Sequence, residues 1–173
     1  MNTWFIADPH FGHKNIIKYE SRPFVDVEHM DNHLIENFNK TVNEGDLVFW
    51  LGDIFFCSSK RIEYIVSRLK KTRNILIRGN HDKGITDGKF IKLGFMPCKM
   101  YLFDEDWMLT HEPISEENMK HLESQGVYMN ICGHLHSRID DLNPERYCCI
   151  SVENTDYRPI SRSELFNRVL NIE

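Results

Sequence analysis

Short apolar runs alternate with amphipathic stretches over the first three-quarters of the chain. Positions 4–7, 47–51, 74–77 and 128–132 are largely apolar, and each run is followed within two residues by Asp or Gly. Runs of this length and continuity predict strands of a sheet covered on both faces. Between them, Val27, Met30, Leu34, Ile35, Phe38 and Val42 share one helical face, as do Ile62, Ile65, Val66 and Leu69. Strands alternating with amphipathic helices predict an α/β fold.

The pattern changes later in the chain. Positions 100–103 and 107–110 flank Asp104, Glu105 and Asp106, a polar cluster of the kind that joins antiparallel strands, so the second half is expected to be richer in β-structure. Ser161 and Glu164 have capping-box spacing, with Ile160 and Leu165 placed as a hydrophobic staple, which predicts a terminal helix running to about Leu170. No repeat, low-complexity tract or linker interrupts the 173 residues, so one domain spanning 1–173 is expected.

Composition narrows the function classes. Hydrophobic residues at 41% and charged residues at 27% match an ordinary soluble fold and exclude fibrous and disordered classes. No leader-like or membrane-length apolar segment is visible. Cys57, Cys98, Cys132, Cys148 and Cys149 are odd in number and lack Cys-x-x-Cys spacing; they read as reduced thiols, for which a cytoplasmic location fits. The net charge of −5, with Lys and Arg scattered, gives no extended nucleic-acid-binding surface and repels anionic substrates unless bound cations reverse the sign locally.

The chemistry sits where the strand-like runs stop. Asp8 and His10 follow the first, Asp53 follows Gly52, Asn80 and His81 follow Gly79, His111 follows Thr110, and His134 and His136 follow Gly133. Ligands in open α/β sheets bind beyond the carboxyl ends of the strands, so these five ends are expected to converge on one crevice. The glycines permit backbone conformations or approaches that a Cβ would hinder. Mixed carboxylate oxygen and imidazole nitrogen donors suit Mn, Fe, Zn or Ni.

In order, Asp8-Pro9-His10, Gly52-Asp53, Gly79-Asn80-His81-Asp82, His111 and Gly133-His134-Leu135-His136 resemble the five blocks of the calcineurin-like metallophosphoesterases, and the opening Asp8 to His13 resembles the small bacterial and phage members. The resemblance implies a four-layer α/β/β/α sandwich of two mixed sheets flanked by helices. It also implies two divalent metal ions, with Mn preferred: one held by Asp8, His10, Asp53 and His136, the other by Asp53, Asn80, His111 and His134, with Asp53 bridging. Two metals roughly 3.5–4 Å apart lower the pKa of a bridging water, whose hydroxide attacks phosphorus in line with the leaving oxygen. His81 is then expected to stabilise the transition state or protonate the leaving alkoxide, and Asp82 to orient His81.

Other residues are weighed more locally. His13, Lys14, Asn15 and Arg22 lie in a long connection that often carries function, and His13, Arg22 and Asn80 are taken as candidate substrate contacts. Arg78 is read as a structural ion-pair partner, and His29, His33 and His121 as surface imidazoles. The expected activity is hydrolysis of a small phosphomonoester or phosphodiester, with nucleotides and nucleotide-derived diesters as the leading class. The rivals are a nuclease acting on DNA or RNA and a protein-binding scaffold that keeps the fold.

Overall fold

The computed structural model describes residues 1–104 and 106–170; Glu105, expected in a turn, lies outside them. In chain order the elements are β1 (Thr3–Ile6), α1 (Ile16–Tyr19), α2 (Val27–Thr41), β2 (Leu47–Trp50), α3 (Ser59–Arg68), β3 (Arg73–Ile77), α4 (Asp87–Lys92) and β4 (Phe95–Cys98). They continue with β5 (Tyr101–Phe103), β6 (Trp107–Leu109), α5 (Glu116–Glu123), β7 (Met129–Cys132), β8 (Tyr147–Cys149), β9 (Ile160–Ser161) and α6 (Arg162–Val169). Short 3-10 turns cover His81–Gly84 and Val152–Asn154.

Two mixed sheets result. The first runs β4-β3-β2-β1-β9, parallel except for β9, and the second runs β5-β6-β7-β8, parallel except for β5. The antiparallel pair expected around positions 100–110 is β5 with β6. Alternation along the first sheet explains why its strands read as continuous apolar runs. Ile6, Val48, Trp50 and Leu76 point into a cluster with Met30, Leu34, Phe38, Ile62, Ile65 and Phe90 of α2, α3 and α4. Phe5, Phe49, Leu51 and Ile77 point the other way, onto Trp107, Leu109, Met129 and Ile131 of the second sheet. Both faces are therefore buried, which removes the polar positions that a half-exposed strand would show.

Helix ends follow local chemistry. Asp26 caps α2 by accepting from the His29 N–H at 2.8 Å. The capping box at α6 is complete: Ser161 accepts from Glu164 N–H, and Glu164 accepts from Ser161 N–H. Ile160 and Leu165 are both buried between the sheets. No helix among the described residues is long and apolar enough to cross a membrane.

Parallel pairing places the carboxyl ends of β1, β2 and β3 on one edge, and those of β6 and β7 on the matching edge of the second sheet. A bridge between Ala7 and Ser151, with Val152 N–H donating to Ala7 at 3.0 Å, ties the two edges together. The crevice between them is where the sequence expects chemistry.

Candidate metal centre

Five of the seven donor residues at this edge share one backbone bend. Asp8, His10, Asp53, His134 and His136 all have positive φ, between 51° and 69°. Non-glycine residues adopt this region at an energetic cost that tends to collect at functional sites. The preceding glycines allow the turns to close on one another. A Cβ on Gly52 would lie 2.4 Å from the His111 ring, one on Gly79 would lie 2.1 Å from the Asp53 carboxylate, and one on Gly133 would lie 2.4 Å from that of Asp8.

The result is two adjacent donor groups: Asp8, His10 and His136 in one, and Asp53, His111 and His134 in the other. Asp53 joins them, its Oδ2 lying 3.6 Å from His10 Nε2 and 3.4 Å from His111 Nε2. Asn80 Oδ1 completes the second group, 2.9 Å from His111 Nε2 and 3.0 Å from His134 Nδ1. All seven residues expected as ligands are thus brought together.

Hydrogen bonds decide which atom of each side chain faces inward. His111 Nδ1 donates to the Leu51 carbonyl at 2.8 Å, which turns Nε2 toward Asp53. His136 Nδ1 donates to Glu153 at 3.0 Å and leaves its Nε2 to the first group. Asp8 Oδ2 accepts from His134 N–H at 2.8 Å and from the Ser151 hydroxyl at 2.7 Å, while its Oδ1 has no partner. Both ring nitrogens of buried His10 are also unpartnered.

Orphaned lone pairs at this density need positive charge. Burial pushes the Asp8 carboxyl up to about 7 and the His10 imidazole down. Burial also acts against the charge on Asp53, yet contact with His111 holds its carboxyl at about 2; His111, disfavoured by burial in turn, is raised to about 9 by Asp53 and then Asp8. Dications on the two donor groups fit the same need, and the donor set of imidazole, carboxylate and amide oxygen suits transition metals.

Two sequence expectations are corrected by this geometry. Asp82 does not orient His81: its buried carboxylate accepts from the backbone N–H groups of Asp53 (2.9 Å), Gly79 (2.9 Å) and Ile54 (3.2 Å). Arg22 is not placed to meet substrate. It is buried, and its guanidinium donates to the carbonyls of Asp8 (2.8 Å) and Pro9 (2.9 Å), to Met30 sulfur and to Glu153. Each is a positioning residue for the ligand turns. Arg78 is likewise engaged, pairing with Asp87 and donating to the carbonyls of Asp82 and Ile85.

His81 stands at the rim. Its ring is 41% exposed and 3.9 Å from Asp53, with its backbone N–H bound to Asp53 Oδ1. His13 sits beside it, ring centroids 6.3 Å apart, and packs at 4.0 Å on the exposed ring of Phe56. Phe56, Ser151 and Glu153 were missed from the sequence. The run Ile150-Ser151-Val152, ended by Glu153, repeats the apolar-then-polar form of the other strand ends and was the available signal.

Residues 1–146 match the family described as calcineurin-like phosphoesterase. An uncharacterized Methanocaldococcus jannaschii protein is 36% identical over 172 residues, covering 91% of this chain and 85% of that protein. Among solved structures, a protein of unknown function from Aquifex aeolicus superposes with a TM-score of 0.71 at 26% identity, covering 96% of this chain and 98% of that one. A Pseudomonas putida nuclease shares the fold with a TM-score of 0.52 at 21% identity, over 78% of this chain and 61% of the nuclease.

Proposed function

The chain belongs to the calcineurin-like phosphoesterases, and from that premise we propose that it is a hydrolase of small phosphomonoesters or phosphodiesters with a dinuclear centre, most active with Mn. The observation that carries this reading is the position of Asp53 Oδ2 between His10 Nε2 and His111 Nε2, at 3.6 and 3.4 Å. Asp8, His10, Asp53 and His136 would hold one ion, and Asp53, Asn80, His111 and His134 the other. Two such ions supply Lewis acidity toward the phosphoryl oxygens and a nucleophile at neutral pH.

The chain's own groups do the rest. The αL turns and the bonds to Leu51, Ser151 and Glu153 fix the donors before substrate arrives, so little reorganisation is left to the reaction. His81, held at the rim by its own backbone bond to Asp53, would meet the phosphoryl group and give a proton to the leaving oxygen. His13 is the neighbouring candidate for substrate contact.

Turnover of p-nitrophenyl phosphate and bis-p-nitrophenyl phosphate, before and after chelation, tests this reading. Chelation is expected to abolish activity and Mn to restore it better than Mg, whose preference for oxygen donors suits a His-rich set poorly. Full activity in Mg alone, or none with any divalent ion, overturns it. Asp53→Asn is the sharper variant, because it removes the negative charge between two dications: two bound metals per chain with wild-type turnover would exclude the bridge.

A nuclease is the second reading. The exposed rings of Phe56 and Tyr19 flank His13 at the rim, and bases stack on such faces. Cleavage of single-stranded oligonucleotides faster than of bis-p-nitrophenyl phosphate would favour it.

A further inference from the structure

A cleft of about 580 Å³ opens beside the centre, reaching from Asn80 and His111 to α5. Pockets that enclose ligands of nucleotide size run from roughly 300 to 1,000 Å³. Its lining mixes apolar, cationic and other polar side chains, with Glu112 as its carboxylate. Met100, Met108, Ile114 and Leu122 are apolar, and Met100 is 56% exposed. Lys83 and Lys99 also line it and are exposed. Among the described residues the lysine found in an ion pair is Lys40, with Glu36, so both cleft ammoniums are available to a ligand.

We propose that this cleft is the subsite for the nucleotide portion of the substrate, with the base against the methionine-lined wall and a phosphate other than the reacting one between Lys83 and Lys99. The proposal rests on the phosphoesterase reading and adds to it a recognition element that the metal ligands do not supply. In a chain of net charge −5, Lys83 and Lys99, without ion pairs among the described residues, outnumber the one carboxylate of the cleft, Glu112, and place local attraction where the overall field is repulsive. They lie outside the ligand set, so they serve a charge that the centre itself does not balance.

The apolar wall argues for a heterocycle over an acyl chain. Asn118 and His121 of α5 also line the cleft, and both are exposed. A base has polar edges for them to meet, whereas a hydrocarbon tail offers them none. Methionine adapts to flat rings and makes favourable sulfur–aromatic contacts.

Calorimetric titration of the Mn-loaded protein with α,β-methylene-ADP tests the subsite without requiring turnover. Lys83→Ala and Lys99→Ala are each expected to raise its Kd about fivefold, as loss of one screened ion pair implies. Met100→Glu, placing a carboxylate at the exposed wall, is expected to raise it about tenfold, while kcat/KM for bis-p-nitrophenyl phosphate stays within about twofold in all three. An unchanged Kd in the double lysine variant overturns the proposal. So does an equal loss of affinity for inorganic phosphate, which would place the lysines at the reacting group, or tighter binding of dodecyl phosphate than of the nucleotide. Nucleotide binding with no hydrolysis of any ester would instead sink the enzymatic reading and leave the subsite standing.

Discussion

Asp82 accepts a 2.9 Å hydrogen bond from the backbone N–H of Asp53, so a buried carboxylate with no ligand role fixes the turn that carries the shared ligand. The same carboxylate holds Gly79 and Ile54, which locks two strand ends to each other. Its place in the site is mechanical.

Asp82→Asn should therefore act through the fold. The amide can offer an oxygen to one side only, leaving at least one buried N–H facing another donor, at a cost of about 1–3 kcal/mol. Metal affinity should fall about 10–100-fold as the Asp53 turn loosens. Urea unfolding and Mn titration measure both. A variant with full metal content that loses activity only toward poor leaving groups would restore the role of orienting His81.

Arg22 makes a comparable prediction against the sequence reading. Arg22→Ala removes the donors that satisfy the carbonyls of Asp8 and Pro9 and takes the guanidinium from the Glu153 carboxylate, which keeps its bond from His136. Breaking a buried pair from one side costs about 3–5 kcal/mol. Thermal unfolding should show that loss. A phosphate contact would behave otherwise, raising KM in a protein of undiminished stability.

What the sequence made legible was local. Asp53, Asn80 and His134 each follow a glycine that ends or trails an apolar run, so residue type, strand end and turn all sit within a few positions. Arg22 and Glu153 meet across 131 positions, and nothing local to either predicts the other. Arg22 consequently looked like a free cation in a loop. Strand β4 was missed for a different reason: Pro97 breaks the pattern, and it is tolerated because β4 is an edge strand that can forgo a ladder bond. Strand β9 is two residues long and carries no periodicity of its own. The helix at Ser161 was readable because a capping box is written in four consecutive positions.

His81 is separable from the ligands. It is exposed at the rim, so His81→Ala should keep its metals while turnover falls roughly 10²–10⁴-fold. The loss should be smaller for p-nitrophenolate, which leaves without help, than for an alkoxide. Metal analysis beside kinetics on aryl and alkyl esters makes the comparison. Equal losses would leave electrostatic stabilisation and remove the proton transfer.

Glu164 gives a pH dependence remote from the centre. Its bond to Arg158, against the opposing effect of burial and with further help from Ser161, holds its carboxyl at about 2, below the ordinary value of 4.5. Because the folded-state value is depressed, the stabilisation is complete above pH 4.5 and is lost as pH falls through about 2. The side chain is 40% exposed and solvent screens the pair, so the contribution is set at about 1 kcal/mol, less than the shift alone would imply. Glu164→Gln should accordingly be about 1 kcal/mol less stable than wild type at pH 7 and equal to it near pH 2. Urea unfolding of both proteins in chelator, which keeps metal release out of the comparison, measures that convergence. A stability difference that stays constant from pH 7 to pH 2 would assign the effect to helix capping by either side chain and remove the ion pair with Arg158 from the account.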